Sequence, residues 1–129
     1  MIYRGRDGTE YTAGDLLEVL RIVDGEEAAA LYKEHFDRRL LAIRAPTGVR
    51  KTHILYSSGI PTISCLDAQG PGPVIITSDG DDTAEVESLL LPLSWWDSRD
   101  HHAKGFNGSS HLCMLYNPEV IEYIMGLVG

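Results

Sequence analysis

The stretch Arg50-Lys51-Thr52-His53-Ile54-Leu55-Tyr56-Ser57-Ser58-Gly59-Ile60-Pro61-Thr62-Ile63-Ser64-Cys65-Leu66 decides the fold class. It is rich in Ile, Thr and Tyr, residues whose branched or aromatic side chains suit a pleated surface, and Ser58-Gly59 punctuates it as a turn. Two strands are therefore predicted, 50–57 and 60–66. Side chains alternate across a strand, so Thr52, Ile54 and Tyr56 share one face while Lys51, His53 and Leu55 share the other. Pro61 lacks a ladder donor and places that end at a sheet edge. Val74-Ile75-Ile76-Thr77 adds a short apolar strand after the loop Asp67-Ala68-Gln69-Gly70-Pro71-Gly72-Pro73. No helix-length crossover separates these runs, which argues against a doubly wound parallel sheet.

Upstream of this block the period changes. Asp7-Gly8 marks a hairpin turn within 1–11. Thr12 with Asp15 is a capping box for a helix carrying Leu16, Val19, Leu20 and Val23. Asp24 with Glu27 opens a second helix holding Ala28, Leu31, Tyr32 and Phe36, continuing toward Ile43 and ended before Pro46. Downstream, Asp82 or Thr83 caps a third helix with Val86, Leu89 and Leu90, interrupted at Pro92. A loop from 97 to 109 and a strand from 110 to 116 follow. Asn117 then caps a last helix, with Pro118 at its first position. Ile121, Ile124, Met125 and Val128 lie on one face of it. The expectation is one α+β domain over residues 1–129: a mostly antiparallel sheet of four or five strands, with two N-terminal helices and a C-terminal helix packed on it.

The 129 residues are 43% apolar, with a formal charge of −8. This length suits a single domain that folds without staples. Two cysteines, Cys65 and Cys113, are too few for a secreted disulfide scaffold. No apolar run reaches the ~20 residues of a membrane span, and the N-terminus does not read as a signal peptide. A cytoplasmic location and no membrane partner are expected. The charge is uneven. Residues 38–66 carry five basic and no acidic side chains, whereas residues 67–129 carry two basic and ten acidic ones. An acidic chain repels an extended polyanion, so extended nucleic acid is excluded as a partner.

Two candidate sites follow. The first joins Arg44, Arg50, Lys51 and His53 with Trp95, Trp96 and Arg99: guanidinium groups bind phosphate and indoles stack on bases, which suits an anionic, nucleotide-like ligand. The second is a metal site from His101, His102, His111 and Cys113. With 110–116 extended, His111 and Cys113 point to one face, about 7 Å apart at Cα, and a loop histidine completes three ligands for zinc or another divalent ion.

Other motifs fall short. Thr47-Gly48-Val49-Arg50-Lys51-Thr52 lacks the glycines of a phosphate loop. Asp79, Asp81 and Asp82 lack the twelfth-position Glu of a calcium loop. Ser109 and Ser110 beside His111 have no nucleophile elbow. A nucleophilic cysteine needs a cation or imidazole that the local sequence does not supply.

No complete catalytic motif stands out. The sequence therefore leads to a small acidic, non-catalytic binding protein that needs no cofactor. It would capture an anionic small molecule or a protein partner, with inhibition of that partner as a variant of the same reading. Its acidic face at Asp79, Asp81, Asp82, Glu85 and Glu87 would suit a cationic partner. The alternative is a metal-assisted hydrolase built on 101–113. Leu89-Leu90-Leu91-Pro92-Leu93-Ser94-Trp95-Trp96 offers surplus apolar surface, which points to a homo-oligomer.

Overall fold

A computed structural model describes residues 1–36, 48–95 and 101–129. Its strands and helices run β1 (Tyr3–Arg4), β2 (Glu10–Tyr11), α1 (Leu16–Asp24), α2 (Glu26–His35), β3 (Thr52–Ser58), β4 (Ile60–Asp67), β5 (Val74–Gly80), α3 (Val86–Leu89), α4 (Pro92–Trp95), β6 (His101–Asn107) and α5 (Pro118–Val128). Four strands form a mixed sheet in the order β2-β1-β4-β5, and β3 pairs separately with β6. The class is α+β, as the sequence implies. Its contacts divide the chain into two compact units, Met1–Ile43 with Ser64–Ile76, and Arg44–Ile63 with Thr77–Gly129.

In the first unit, β1 and β2 form the expected hairpin, with Tyr3 opposite Tyr11 and Arg4 opposite Glu10. Gly8 takes φ +84°, a left-handed conformation that favours glycine, and its N–H reaches the Gly5 carbonyl. β1 continues in parallel against the end of β4, Tyr3 opposite Leu66. Arg4 spans the junction, bonding Glu10 at 2.8 Å and Asp67 at 3.0 Å. Thr12 and Asp15 cap each other reciprocally ahead of α1, as their spacing predicts. The expected second box does not form. Asp24 is the last residue of α1, and Gly25, at φ +90°, separates the helices and precedes α2. A left-handed break is easier for Gly25 than for Asp24, which explains the shift by one residue. Tyr3, Ala29 and Cys65 are buried here. The predicted extension of α2 beyond residue 36 lies outside the described residues.

In the second unit, β3 and β6 run parallel over seven residue pairs, from Thr52↔His101 to Ser58↔Asn107. This corrects the expected loop at 97–109, of which residues 101–107 are extended. Gly105 and the polar residues around it have poor strand propensity, but the ladder to β3 satisfies their backbone groups and overrides that preference. Gly105 is also the residue that fits, since a Cβ there would meet the Tyr56 ring at 2.9 Å. The strand expected at 110–116 is absent and is replaced by a turn and a short 3-10 helix, Cys113–Tyr116. Local bonds from Met114 N–H to Ser110 O and from Leu115 N–H to Leu112 O take the place of a ladder. Asn117 and Pro118 start α5 as predicted: the Asn117 carboxamide oxygen accepts from Glu119 N–H at 2.8 Å. Phe106 and Val120 are buried. Among the described residues no helix is long and apolar enough to cross a membrane.

Candidate active site

The second unit buries an unusual set of polar residues: Ser57, Thr62, Asp81 and Ser109. A buried polar group without partners costs free energy, so the bonds of these four define what the unit is built to hold. They converge on two loops, 81–84 after β5 and 108–111 after β6.

The first loop presents Asp81. Its backbone N–H bonds the Ala84 carbonyl, and its Oδ1 accepts from Thr83 N–H at 3.0 Å and Ala84 N–H at 2.8 Å. This is the local turn chemistry aspartate favours. Asp82 next to it has φ +79°, a left-handed conformation uncommon for a residue with a Cβ. Thr62 holds that strained residue in place. Its hydroxyl accepts from Asp82 N–H at 2.9 Å and donates to the Ile60 carbonyl at 3.0 Å.

The second loop presents His111. Gly108, at φ +77°, turns the chain out of β6, and its N–H donates to the Ser58 carbonyl at 2.7 Å. His111 then meets Asp81 twice: its backbone N–H donates to Asp81 O at 2.7 Å, and its ring Nδ1 lies 2.7 Å from Asp81 Oδ2. The carboxylate side chain is 4% exposed and the imidazole 50% exposed. Burial pushes the Asp81 carboxyl up. The bonds from Ala84 N–H, His111 and Thr83 N–H outweigh this and hold it below the ordinary carboxylate value. An ionised carboxylate only accepts, so Nδ1 carries a proton toward Asp81, and in the neutral form of the ring the lone pair is on Nε2. Among the described residues no hydroxyl or thiol is hydrogen-bonded to that nitrogen. A buried acid bonded to Nδ1 of a half-exposed imidazole has the geometry with which a nucleophile–histidine–acid arrangement orients its base.

The residues singled out from sequence fall elsewhere or take other roles. Arg44, Trp96 and Arg99 lie outside the described residues, and Trp95 ends α4. Arg50 and Lys51 are exposed, just before β3. His53 and His102 face each other across the β3–β6 ladder with stacked rings 5.0 Å apart, and His53 Nδ1 is 3.0 Å from the Tyr123 hydroxyl. His101 sits opposite Thr52 at the start of β6. His111 and Cys113 do not share a strand face, because that strand does not exist, and Cys113 is exposed. Among the described residues no group of three or more His, Cys, Asp and Glu is placed to hold a metal ion. Asp81 appeared in the sequence as part of an acidic run and of a rejected calcium loop. Thr62, Ser57 and Asn117 carried no site signal. One available clue was an acid just past one strand and a histidine in a glycine–serine loop before a helix.

No family model matches the chain. Its sequence is similar to proteins named lysosomal phospholipase A and acyltransferase: 28% identity to the mouse protein over 121 residues, covering 90% of this chain and 29% of that protein. The rat and human proteins are 31% and 30% identical over 90 residues, 66% of this chain and 22% of theirs. The chain thus spans less than a third of the length of these curated relatives. A match covering 90% of 129 residues leaves out about 13, so wherever it starts it includes residues 14–116 and therefore both Asp81 and His111. This likeness to a lipid-modifying enzyme overturns the expectation of a non-catalytic binding protein or inhibitor. That expectation rested on the lack of a motif visible in sequence, whereas the Asp81–His111 pair is assembled only in space.

Proposed function

We propose that this chain contributes the acid–base pair of an acyl-transfer site acting on lipid esters. The observation that carries the reading is the 2.7 Å contact between Asp81 Oδ2 and His111 Nδ1. In this reading His111 Nε2 takes the proton of a hydroxyl or thiol nucleophile as that group bonds to the ester carbonyl carbon. The imidazolium so formed is stabilised by Asp81. Collapse breaks the bond between the acyl carbon and the leaving oxygen, and His111 returns its proton to that oxygen. Water or an acceptor alcohol then repeats the cycle in reverse and removes the acyl group. The relatives' name supports phospholipid as donor. The nucleophile, the oxyanion donors and the whole activity belong to the proposal, given the share of the relatives that this chain spans.

The test is turnover of a phosphatidylcholine ester by the tagged protein, isolated from its own cells in the length the cell makes it. His111→Ala and Asp81→Asn should each lower kcat by about three to four orders of magnitude. Wild-type protein without turnover, or variants that keep it, would overturn the reading.

On compartment, two free thiols, Cys65 and Cys113, support a cytoplasmic setting, whereas the relatives are named lysosomal. Cell fractionation separates the two: recovery with lysosomal membranes or lumen would contradict the cytoplasmic assignment.

A further inference from the structure

The loop that carries His111 is tied down at Ser109, two residues upstream, from two directions. From β3, the Ser57 hydroxyl accepts from Ser109 N–H at 3.1 Å while donating to the Phe106 carbonyl at 2.9 Å. From α5, Asn117 Nδ2 donates to Ser109 Oγ at 2.5 Å. The orientation of the Asn117 carboxamide follows from its other bond: Glu119 N–H is a donor, so the atom facing it is the oxygen, and the nitrogen faces Ser109. Ser57 is fully buried and Ser109 nearly so. Water therefore competes poorly for these bonds, and losing one partner leaves a polar group unsatisfied.

We propose that Asn117 is a positioning residue for His111, acting through Ser109, in addition to capping α5. This rests on the reading of His111 as the site's general base. One side chain joins two tasks: its oxygen starts the helix and its nitrogen fixes the loop whose far end places Nδ1 on Asp81. The Ser109 anchor removes freedom from the three peptide links between Gly108 and His111, where the left-handed glycine would otherwise leave the loop loose. A histidine misplaced by about an ångström loses its partner, because a hydrogen bond weakens steeply with distance and angle.

The cap and the anchor separate experimentally. Asn117→Ser keeps a good helix N-cap, but its side chain is too short to reach Ser109. Ser109→Ala leaves the Asn117 cap in place and removes the anchor from the other side. The readout is the low-field Nδ1 proton of His111 in the 129-residue chain by NMR, assigned by its absence in His111→Gln, with thermal midpoints measured in parallel. The resonance is expected in wild type and lost to solvent exchange in both variants, each melting close to wild type. Persistence of the resonance in either folded variant would overturn the positioning role and leave the His111 reading intact. A wild-type chain without it would overturn the Asp81–His111 reading itself, and the proposal with it. Unfolding of both variants would show that the anchor serves folding alone and would also overturn the proposal.

Discussion

Gly80 stands one residue before the buried carboxylate. A methyl group there would fall well inside contact of Thr62 Oγ1 and the Ala84 carbonyl, both of which hold the Asp81 turn. Overpacking of this kind costs ~1–3 kcal/mol. Gly80→Ala should lower the denaturant midpoint accordingly, and an unchanged midpoint would show that the turn yields freely. Asp81 carries a pH dependence of its own. Its carboxyl is held below the ordinary value, so the stability it contributes is complete above the unfolded value of about 3.9 and is lost as pH falls through the lower folded value. Thermal melts from pH 6 downward should therefore show an acid-side loss that Asp81→Asn lacks. A parallel loss in both would place the effect in other carboxylates. At this scale the sequence was only half legible. Asp81 and His111 are titratable residues visible in any reading. Their separation by 30 positions, with each reached through its own turn, leaves no spacing that betrays the pair.

Elements were read best where their signals are local. The Thr12–Asp15 box and the Asn117–Pro118 start are decided within four residues, and both formed. Thr12→Ala should cost about 1 kcal/mol, measured by chemical denaturation, because it removes a helix-start acceptor at an exposed site. A cost near zero would mean that the Asp15 carboxylate alone suffices. Elements that depend on distant partners were misread. β6 is a strand because β3 lies beside it, not because Gly105 and Lys104 favour one, whereas 113–116 coils through local bonds such as Met114 N–H to Ser110 O. Moving the strand by nine residues, from 110–116 to 101–107, also moved His111 from a strand face to a loop end. That displacement took the candidate site from a proposed metal set to an acid–base pair.

Over the whole molecule, much apolar surface stays in water. Leu112, Leu115 and Tyr116 beside His111 are each more than 70% exposed, and Ile121, Ile124, Met125, Leu127 and Val128 of α5 are exposed as well. Exposed apolar surface of this kind is sticky. The 129-residue chain should bind a hydrophobic dye and show a light-scattering mass that rises with concentration; a constant monomer mass without dye binding would contradict this. The net charge of −8 remains an argument about partners, whereas it carried no information on catalysis. The proposed function rests on a buried carboxylate, an imidazole bonded to it and a likeness to proteins named lysosomal phospholipase A and acyltransferase.

The most direct test of that coincidence is a double-mutant cycle on phospholipid turnover with Asp81→Asn, His111→Ala and the two combined. Residues that act as one unit are strongly non-additive, so the double variant should be no slower than His111→Ala alone. Losses that multiply, or a wild-type protein that turns over no ester, would contradict the account.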